Sequence, residues 1–178
     1  MNHNRLESLP QTFANLNALE ELDLSHNRLE SLPPINLLRL RKLNLNNNLM
    51  SSLHCLAGCA ALEELFADNN RIAELGQSFF SLHNLLGMSL ANNAITAIPN
   101  RIIQLQKIVG INLMSNAIRS LPPEMGNLPF LTILWLGNNR LVDIPDSLGQ
   151  LSRLEYFNLS NNPLQLLRAP IIAKKPQL

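Results

Sequence analysis

Three polar residues near the N-terminus, Asp23, Ser25 and His26, are the residue types of a hydrolase triad. A triad requires its acid, base and nucleophile to converge on one oxygen atom. In an extended segment, Asp23 and Ser25 project from the same face as parallel neighbours, and His26 follows at the end of that segment. Because parallel neighbours do not converge, we interpret these residues as ordinary polar surface and predict no catalytic residue.

The two cysteines, Cys55 and Cys59, form a C-x-x-x-C pair beside His54. A zinc site needs a fourth ligand and usually more closely paired cysteines, so we predict neither a metal nor any other cofactor. Cys59 falls where a buried leucine recurs along the chain, which predicts a small core residue. Reduced thiols are typical of the cytoplasm, and the first ten residues lack the apolar segment of a signal peptide, so we predict a cytoplasmic location.

The charge and composition of the chain exclude several kinds of partner. Lys and Arg total 14 and Asp and Glu total 13 among 178 residues, so the net charge of +1 predicts no nucleic-acid partner. No stretch approaches the ~18 apolar residues that would cross a bilayer, so we predict no membrane insertion. The chain has 39 leucines and 24 asparagines but one tryptophan and one tyrosine. A core built from one side chain indicates a repeated packing unit.

The pattern L-x-x-L-x-L-x-x-N-x-L recurs along the chain, with 21 to 23 residues between successive asparagines. Apolar residues alternate within L-x-L, so each unit predicts a short strand with one buried face, and units in the same direction predict a parallel ladder. An inward asparagine can satisfy backbone groups that the following turn leaves unpaired. We therefore predict a structural ladder of Asn27, Asn48, Asn70, Asn93, Asn116, Asn139 and Asn162.

This pattern resembles the leucine-rich repeat family. Most units continue as L/I-P-x-x-L-x-x-L, as in 98–105 and 144–151, which is similar to the intracellular, Ras-pathway-related class with 23-residue repeats. The 21- and 22-residue units within 19–61 look like the shorter class found in phosphatase-regulating members. The resemblance implies an α/β fold: a leucine-rich repeat solenoid with a parallel β-sheet on its concave face and short 3₁₀ or helical turns and extended segments on its convex face.

The repeats predict one domain spanning 1–178. We divide it into a partial first repeat at 1–18, full repeats at 19–39, 40–61, 62–84, 85–107, 108–130 and 131–153, and a last repeat with a C-terminal tail at 154–178.

The first repeat is incomplete, because the segment HNRLESLP at 3–10 is identical to 26–33 and no L-x-x-L-x-L strand precedes it. We interpret the chain as a fragment or short member of a longer array. Terminal repeats normally carry a polar cap, so an uncapped N-terminal edge predicts self-association. The alternative is that 1–18 is itself an adequate cap.

Residues between the buried leucines point outward onto the concave face. This surface is acidic near the N-terminus, small at Gly87 and Gly110, and apolar further on. Exposed apolar clusters usually mark interaction sites. We predict a partner-binding surface made of Met114, Ile133, Trp135 and Tyr156, with Phe66 as a separate anchor nearer the acidic end. In the alternative interpretation, Trp135 lies flat and only shields the strand backbone.

The sequence therefore favours a non-enzymatic protein–protein interaction module or scaffold that binds a partner in its concave groove. The family resemblance implies a small GTPase or a phosphatase as candidate partners. The alternative is a regulatory or substrate-recognition segment of a larger signalling enzyme, such as a cyclase, kinase or phosphatase, which predicts catalytic sequence beyond one terminus.

Overall fold

Seven short strands, one from each L-x-L motif, form a single parallel sheet in the order of the chain. The computed structural model describes residues 1–165, so the part of the last predicted repeat at 166–178 lies outside the described residues. The strands are β1 (Glu21–Asp23), β2 (Lys42–Asn44), β3 (Glu64–Phe66), β4 (Gly87–Ser89), β5 (Gly110–Asn112), β6 (Ile133–Trp135) and β7 (Tyr156–Asn158). Together with the convex side described next, this sheet confirms the predicted solenoid.

Short 3₁₀ helices carry the chain back along the convex side. Proline precedes four of these helices, and its fixed φ, −65° at Pro99 for example, starts the return path in an extended conformation. Apolar residues about every third position then face inward, which matches the three residues per turn of a 3₁₀ helix. Within the described residues the helices are Gln11–Asn15, His54–Leu56, Gln77–Ser81, Asn100–Gln104, Pro123–Asn127 and Asp146–Gln150. None of the described helices is long and apolar enough to cross a membrane.

The core lies between the sheet and the 3₁₀ helices and is continuous along the solenoid. The middle residue of each strand pairs with its counterpart in the next repeat, as Leu43 does with Leu65. Both of these side chains are fully buried, and Phe79 and Phe80 fill the helical side of the third full repeat. Each unit buries its apolar face against its neighbours, so the stability of a repeat depends on the repeats beside it.

The asparagines of the repeated motif are linked to one another through hydrogen bonds to the main chain. The Asn116 side-chain oxygen accepts a hydrogen bond from the Ile95 N–H at 3.0 Å. Its amide nitrogen donates to the carbonyl oxygens of Leu90 at 2.9 Å and Leu113 at 3.1 Å. The Leu113 oxygen also accepts from Asn139, at 2.9 Å. The carbonyl oxygens of Leu90 and Leu113 therefore each accept hydrogen bonds from the asparagine of their own repeat and from that of the next repeat.

The residue before each ladder asparagine has a left-handed backbone, which the sequence analysis did not predict. The φ values lie between 54° and 58° at the seven residues His26, Asn47, Asn69, Asn92, Ser115, Asn138 and Asn161. His3, which precedes Asn4 in the partial first repeat, has the same conformation with a φ of 51°. Asparagine and histidine are enriched in this conformation, because short polar side chains tolerate it better than bulky ones do. The recurrent Asn-Asn pair is the sequence signal that could have revealed this turn.

Residues at the N-terminus extend the ladder by one step. The Met1 carbonyl oxygen accepts a hydrogen bond from the Asn27 amide at 3.0 Å, and the Leu6 N–H donates to the Asn27 side-chain oxygen at 3.0 Å. Phe13 is buried in the hydrophobic core, whereas Leu16 is 46% exposed. Self-association through this edge stays a prediction.

Candidate functional site

The three residues that resembled a hydrolase triad do not converge. The Asp23 carboxylate accepts the Ser25 backbone N–H at 2.9 Å, and Ser25 is buried. His26 stacks on His3 instead, with ring centroids 4.2 Å apart. Partial burial opposes ionisation of Asp23, but hydrogen bonds from Ser25 and Asn2 outweigh it and hold the pKa of this carboxyl below its ordinary value. The arrangement is that of a structural carboxylate at a strand end.

The surroundings of the two cysteines are also those of structural residues. Cys59 is fully buried, as predicted for a core position, and its Sγ lies 3.9 Å from the Ile35 carbonyl oxygen. Burial, with a smaller contribution from Cys59, raises the pKa of the Cys55 thiol to about 12. A thiol with so high a pKa is a poor nucleophile near neutral pH. Among residues 1–165, no group of three or more His, Cys, Asp or Glu side chains could hold a metal ion.

The outward-facing residues form continuous lanes across the sheet, because every strand pairs in register with the next. Positions are counted from the first residue of the L-x-x-L-x-L-x-x-N-x-L unit, so the outward-facing ones are the third, fifth and seventh. The third-position lane runs through Glu21, Lys42, Glu64, Gly87, Gly110, Ile133 and Tyr156. The fifth-position lane runs through Asp23, Asn44, Phe66, Ser89, Asn112, Trp135 and Asn158. Neighbouring strands lie ~4.8 Å apart, so Phe66 and Trp135, three strands apart, are separated laterally by ~14 Å.

A cavity of about 450 Å³ lies on the concave face between these two aromatic residues. Phe66 and Trp135 line its opposite ends, and the glycines of β4 and β5 form part of its floor. A Cβ atom on Gly87 would meet no other atom within 4 Å, and one on Gly110 would meet only Ile133, at 3.9 Å. The space above these glycines is therefore open to an incoming side chain.

The structure brings together some of the predicted binding residues and separates others. Phe66, Ile133 and Trp135 line the same cavity, and the role of Phe66 as an anchor for a partner stays a prediction. The small residues of β4 and β5 leave open space between Phe66 and Trp135, and this space joins them. Met114 instead packs its Cε 3.3 Å from where a Gly137 Cβ would lie, and Tyr156 lies beside Ile133 on β7, outside the cavity lining.

Exposure separates the two largest concave side chains from the core. Trp135 is 39% exposed and Tyr156 is 59% exposed, so neither lies among the buried leucines. Leu86 and Val109 were not among the predicted binding residues. They lie one residue before β4 and β5, are partly exposed and line the same cavity. The sequence does contain a signal for them, because these two apolar residues stand where charged residues precede β1 to β3.

A polar network borders the cavity at the C-terminal end of the strands. The Asn112 amide donates to Ser89 Oγ at 2.9 Å, and the Ser89 hydroxyl donates to Asp68 Oδ1 at 2.6 Å. The same carboxylate oxygen accepts the Ala91 backbone N–H at 2.7 Å. These bonds fix the orientation of Asp68, whose side chain also lines the cavity.

The second carboxylate at the cavity, Glu64, is neutralised within the sheet. Lys42 Nζ lies 3.1 Å from the Glu64 carboxylate and 5.6 Å from the centre of the Phe66 ring. Opposite charges on neighbouring strands stabilise a sheet when they face each other in this way. In contrast, Asp68 forms no ion pair with any residue in the described part of the chain.

Comparisons with known proteins agree with this architecture. Residues 107–164 match a family model for the leucine rich repeat, and residues 18–38 match a second leucine rich repeat model. Among curated protein sequences, none matches this chain.

Solved structures show the same fold in longer proteins. A leucine-rich repeat protein from Leptospira interrogans is 28% identical, with a TM-score of 0.74 over 97% of this chain and 52% of its own. The plant peptide hormone receptor RGFR1, solved in complex with RGF2, is 24% identical, with a TM-score of 0.79 over 87% of this chain and 26% of its own. TLR13, solved in complex with ssRNA13, is 27% identical, with a TM-score of 0.80 over 97% of this chain and 26% of its own. This chain therefore spans about half of the first and a quarter of the others.

Proposed function

We propose that this chain, which has the fold of leucine-rich repeat proteins, is a non-enzymatic module that binds a segment of a protein partner in the cavity between Phe66 and Trp135. The observation that carries this proposal is the open, largely apolar cavity over the two glycines, with the exposed Trp135 at one end and the half-buried Phe66 at the other. Tryptophan and tyrosine are enriched among interface residues whose truncation costs ~2 kcal/mol or more. Tyr156 extends the same apolar surface beyond β6.

A protein partner suits this surface better than a nucleic acid does. TLR13 was solved with single-stranded RNA, so the fold accommodates an RNA partner in that protein. In this chain, the carboxylate of Asp68 lines the cavity without an ion-pair partner among the described residues, and it repels phosphate groups. A 13-nucleotide single-stranded RNA should therefore not bind measurably at physiological salt, and tight binding would count against a protein partner.

We also propose a cytoplasmic setting and, from the resemblance to the intracellular 23-residue class, a small GTPase or a phosphatase as partner. The two thiols support this setting, because both cysteines are free in the structure and reducing compartments maintain free thiols. Fractionation of cells with an antibody to the chain tests the location.

A pull-down with matched variants tests the proposed site. The parent chain, Trp135→Ala and Phe130→Ala are immobilised separately and exposed to a lysate of the source cells. Phe130 is a suitable control because it is 43% exposed, lies outside the cavity and is covered on one face by Arg153. We expect Trp135→Ala to retain at least tenfold less of a specific partner, and Phe130→Ala to retain as much as the parent.

The same variants distinguish binding from a structural role of the tryptophan. If Trp135 only shields the strand backbone, Trp135→Ala lowers the melting temperature and leaves partner capture per folded molecule unchanged. If it binds the partner, capture falls while the melting temperature stays within about 2 °C of the parent. Equal capture by the parent and Trp135→Ala contradicts the proposal.

A further inference from the structure

We infer that the bound segment presents a large apolar side chain to the glycines of β4 and β5 and a lysine or arginine to Asp68. This inference rests on the proposed function and specifies the chemistry of the partner at the same cavity. It follows from three properties of the cavity: the open floor, the unbalanced charge and the fixed orientation of one carboxylate.

The floor of the cavity accepts an apolar side chain. Leu86, Val109 and Ile133 surround the two glycines, and no atom lies within 4 Å of a Cβ position on Gly87. A side chain that enters here displaces water from aliphatic surface on several sides, and this burial contributes ~25 cal/mol per Å². A leucine, methionine or phenylalanine matches this space and its lining, whereas a charged group would lose hydration without finding a partner over the glycines.

The charge on the concave face is negative and incompletely balanced. On the third, fifth and seventh positions of the concave face, the charged residues are Glu21, Asp23, Lys42, Glu64 and Asp68, a sum of −3. The single cation among them, Lys42, pairs with Glu64, and the same three positions in the four repeats that contain β4 to β7 carry no charged residue. Asp68 is thus a carboxylate at the border of the cavity with no cation from this chain, among the described residues, to oppose it.

The orientation of Asp68 leaves one oxygen for a ligand. Its Oδ1 is occupied by the Ser89 hydroxyl and the Ala91 N–H, while Oδ2 receives no hydrogen bond from the described residues. A side chain that is already ordered loses little entropy when it binds, so a cation can pair with Oδ2 at low cost. Hydrogen bonds between an ammonium or guanidinium and a carboxylate are the stronger class.

The strand register sets the spacing that a ligand must have. Gly87 pairs with Glu64, and Asp68 lies four residues further along the chain, a distance of ~13 Å at the rise of a strand. An extended segment covers ~3.3 Å per residue, and a lysine or arginine side chain reaches further toward the carboxylate. The apolar and cationic residues of the partner should therefore be two to four residues apart.

Selection from a random peptide library tests this inference. Twelve-residue peptides displayed on phage are selected on the full chain, and enriched peptides are synthesised with a fluorescent label. Fluorescence anisotropy then gives their Kd for the parent, Asp68→Asn, Glu21→Gln and Gly87→Leu. The asparagine keeps an acceptor for Ser89 and Ala91 while removing the charge. Glu21→Gln removes the same charge from an exposed residue two strands away from the cavity edge.

We expect enriched peptides to carry a large apolar residue and a lysine or arginine two to four residues apart. Asp68→Asn should weaken their binding about tenfold and reduce its dependence on salt, whereas Glu21→Gln should change Kd less than twofold. Peptides that lose binding to Gly87→Leu but bind Asp68→Asn as tightly as the parent would overturn this inference and leave the proposed function standing. Peptides that bind Gly87→Leu as tightly as the parent would overturn the proposed function itself.

Discussion

Replacement of Asn116 by alanine should destabilise the solenoid by removing one step of the asparagine ladder. The Asn116 side chain accepts a hydrogen bond from one N–H group and donates to three carbonyl oxygens, those of Leu90, Leu113 and Met114. The substitution removes all of these bonds while leaving the surrounding leucines in place. Its effect therefore measures what the ladder contributes to the fold.

The largest cost is expected at the N–H group of Ile95. This residue is fully buried, so water has poor access to the N–H group that loses its acceptor. A buried donor without a partner costs about 1–3 kcal/mol. The carbonyl oxygens lose less, because the Leu90 oxygen keeps its bond from Asn93 at 3.1 Å and the Leu113 oxygen keeps its bond from Asn139 at 2.9 Å. We therefore expect a loss of about 2 kcal/mol in the free energy of unfolding, close to the cost of the unpaired N–H alone.

Urea unfolding followed by circular dichroism measures this loss. Asn127→Ala is the control, because Asn127 is exposed on a 3₁₀ helix and should change the free energy of unfolding by less than about 0.5 kcal/mol. The transition of Asn116→Ala should also broaden, since a weakened repeat lets its neighbours unfold separately. Asn116→Asp should cost more than alanine at neutral pH, because a carboxylate would face carbonyl oxygens. An Asn116→Ala chain that unfolds like the control would refute the ladder argument.

Three further perturbations have outcomes set by local geometry. A Cβ on Gly126 would overlap the Ser147 carbonyl group, so Gly126→Ala should lower the free energy of unfolding by more than about 1 kcal/mol. A Cβ on Gly87 would meet no atom within 4 Å, so Gly87→Ala should leave the free energy of unfolding unchanged. Ser115 has a φ of 56°, a conformation that asparagine adopts more readily than serine. Ser115→Asn should therefore raise the free energy of unfolding by about 0.5 kcal/mol, which is measured as a higher urea midpoint. The pKa of Cys55 is about 12 in the folded chain against an ordinary 9.0, so the unfolded chain loses this proton first and stability should fall between pH 9 and 12. Cys55→Ala should reduce that fall, and an unchanged pH profile would contradict the assignment.

Much of the concave surface could be predicted from the sequence, because a strand fixes which residues point outward. Once the repeats are aligned, the period of two places Trp135 and Tyr156 on the exposed face and the alternating leucines inside. The in-register pairing then places Ile133 beside Tyr156 without further information. These placements depend on local periodicity, which can be read directly from the sequence.

The cavity and the turn geometry could not be predicted in the same way. Whether Phe66 and Trp135 share one cavity depends on the size of the side chains on the two strands between them and on the conformations of their neighbours. The network of Asp68, Ser89 and Asn112 depends on side-chain torsions that the repeat pattern does not fix. The left-handed residue before each ladder asparagine is set by the turn out of the strand, and a hydrophobic pattern carries no information about φ.

The affinity of Gly87→Leu for one purified natural partner, measured by isothermal titration calorimetry, tests the central claim most directly. The leucine side chain would project into open space above the sheet, so it should fill the cavity without disturbing the core. If the partner binds in the cavity between Phe66 and Trp135, the Kd of Gly87→Leu should be at least tenfold weaker than that of the parent, and its melting temperature should be unchanged. A Kd equal to that of the parent would show that the partner binds elsewhere and would contradict the account.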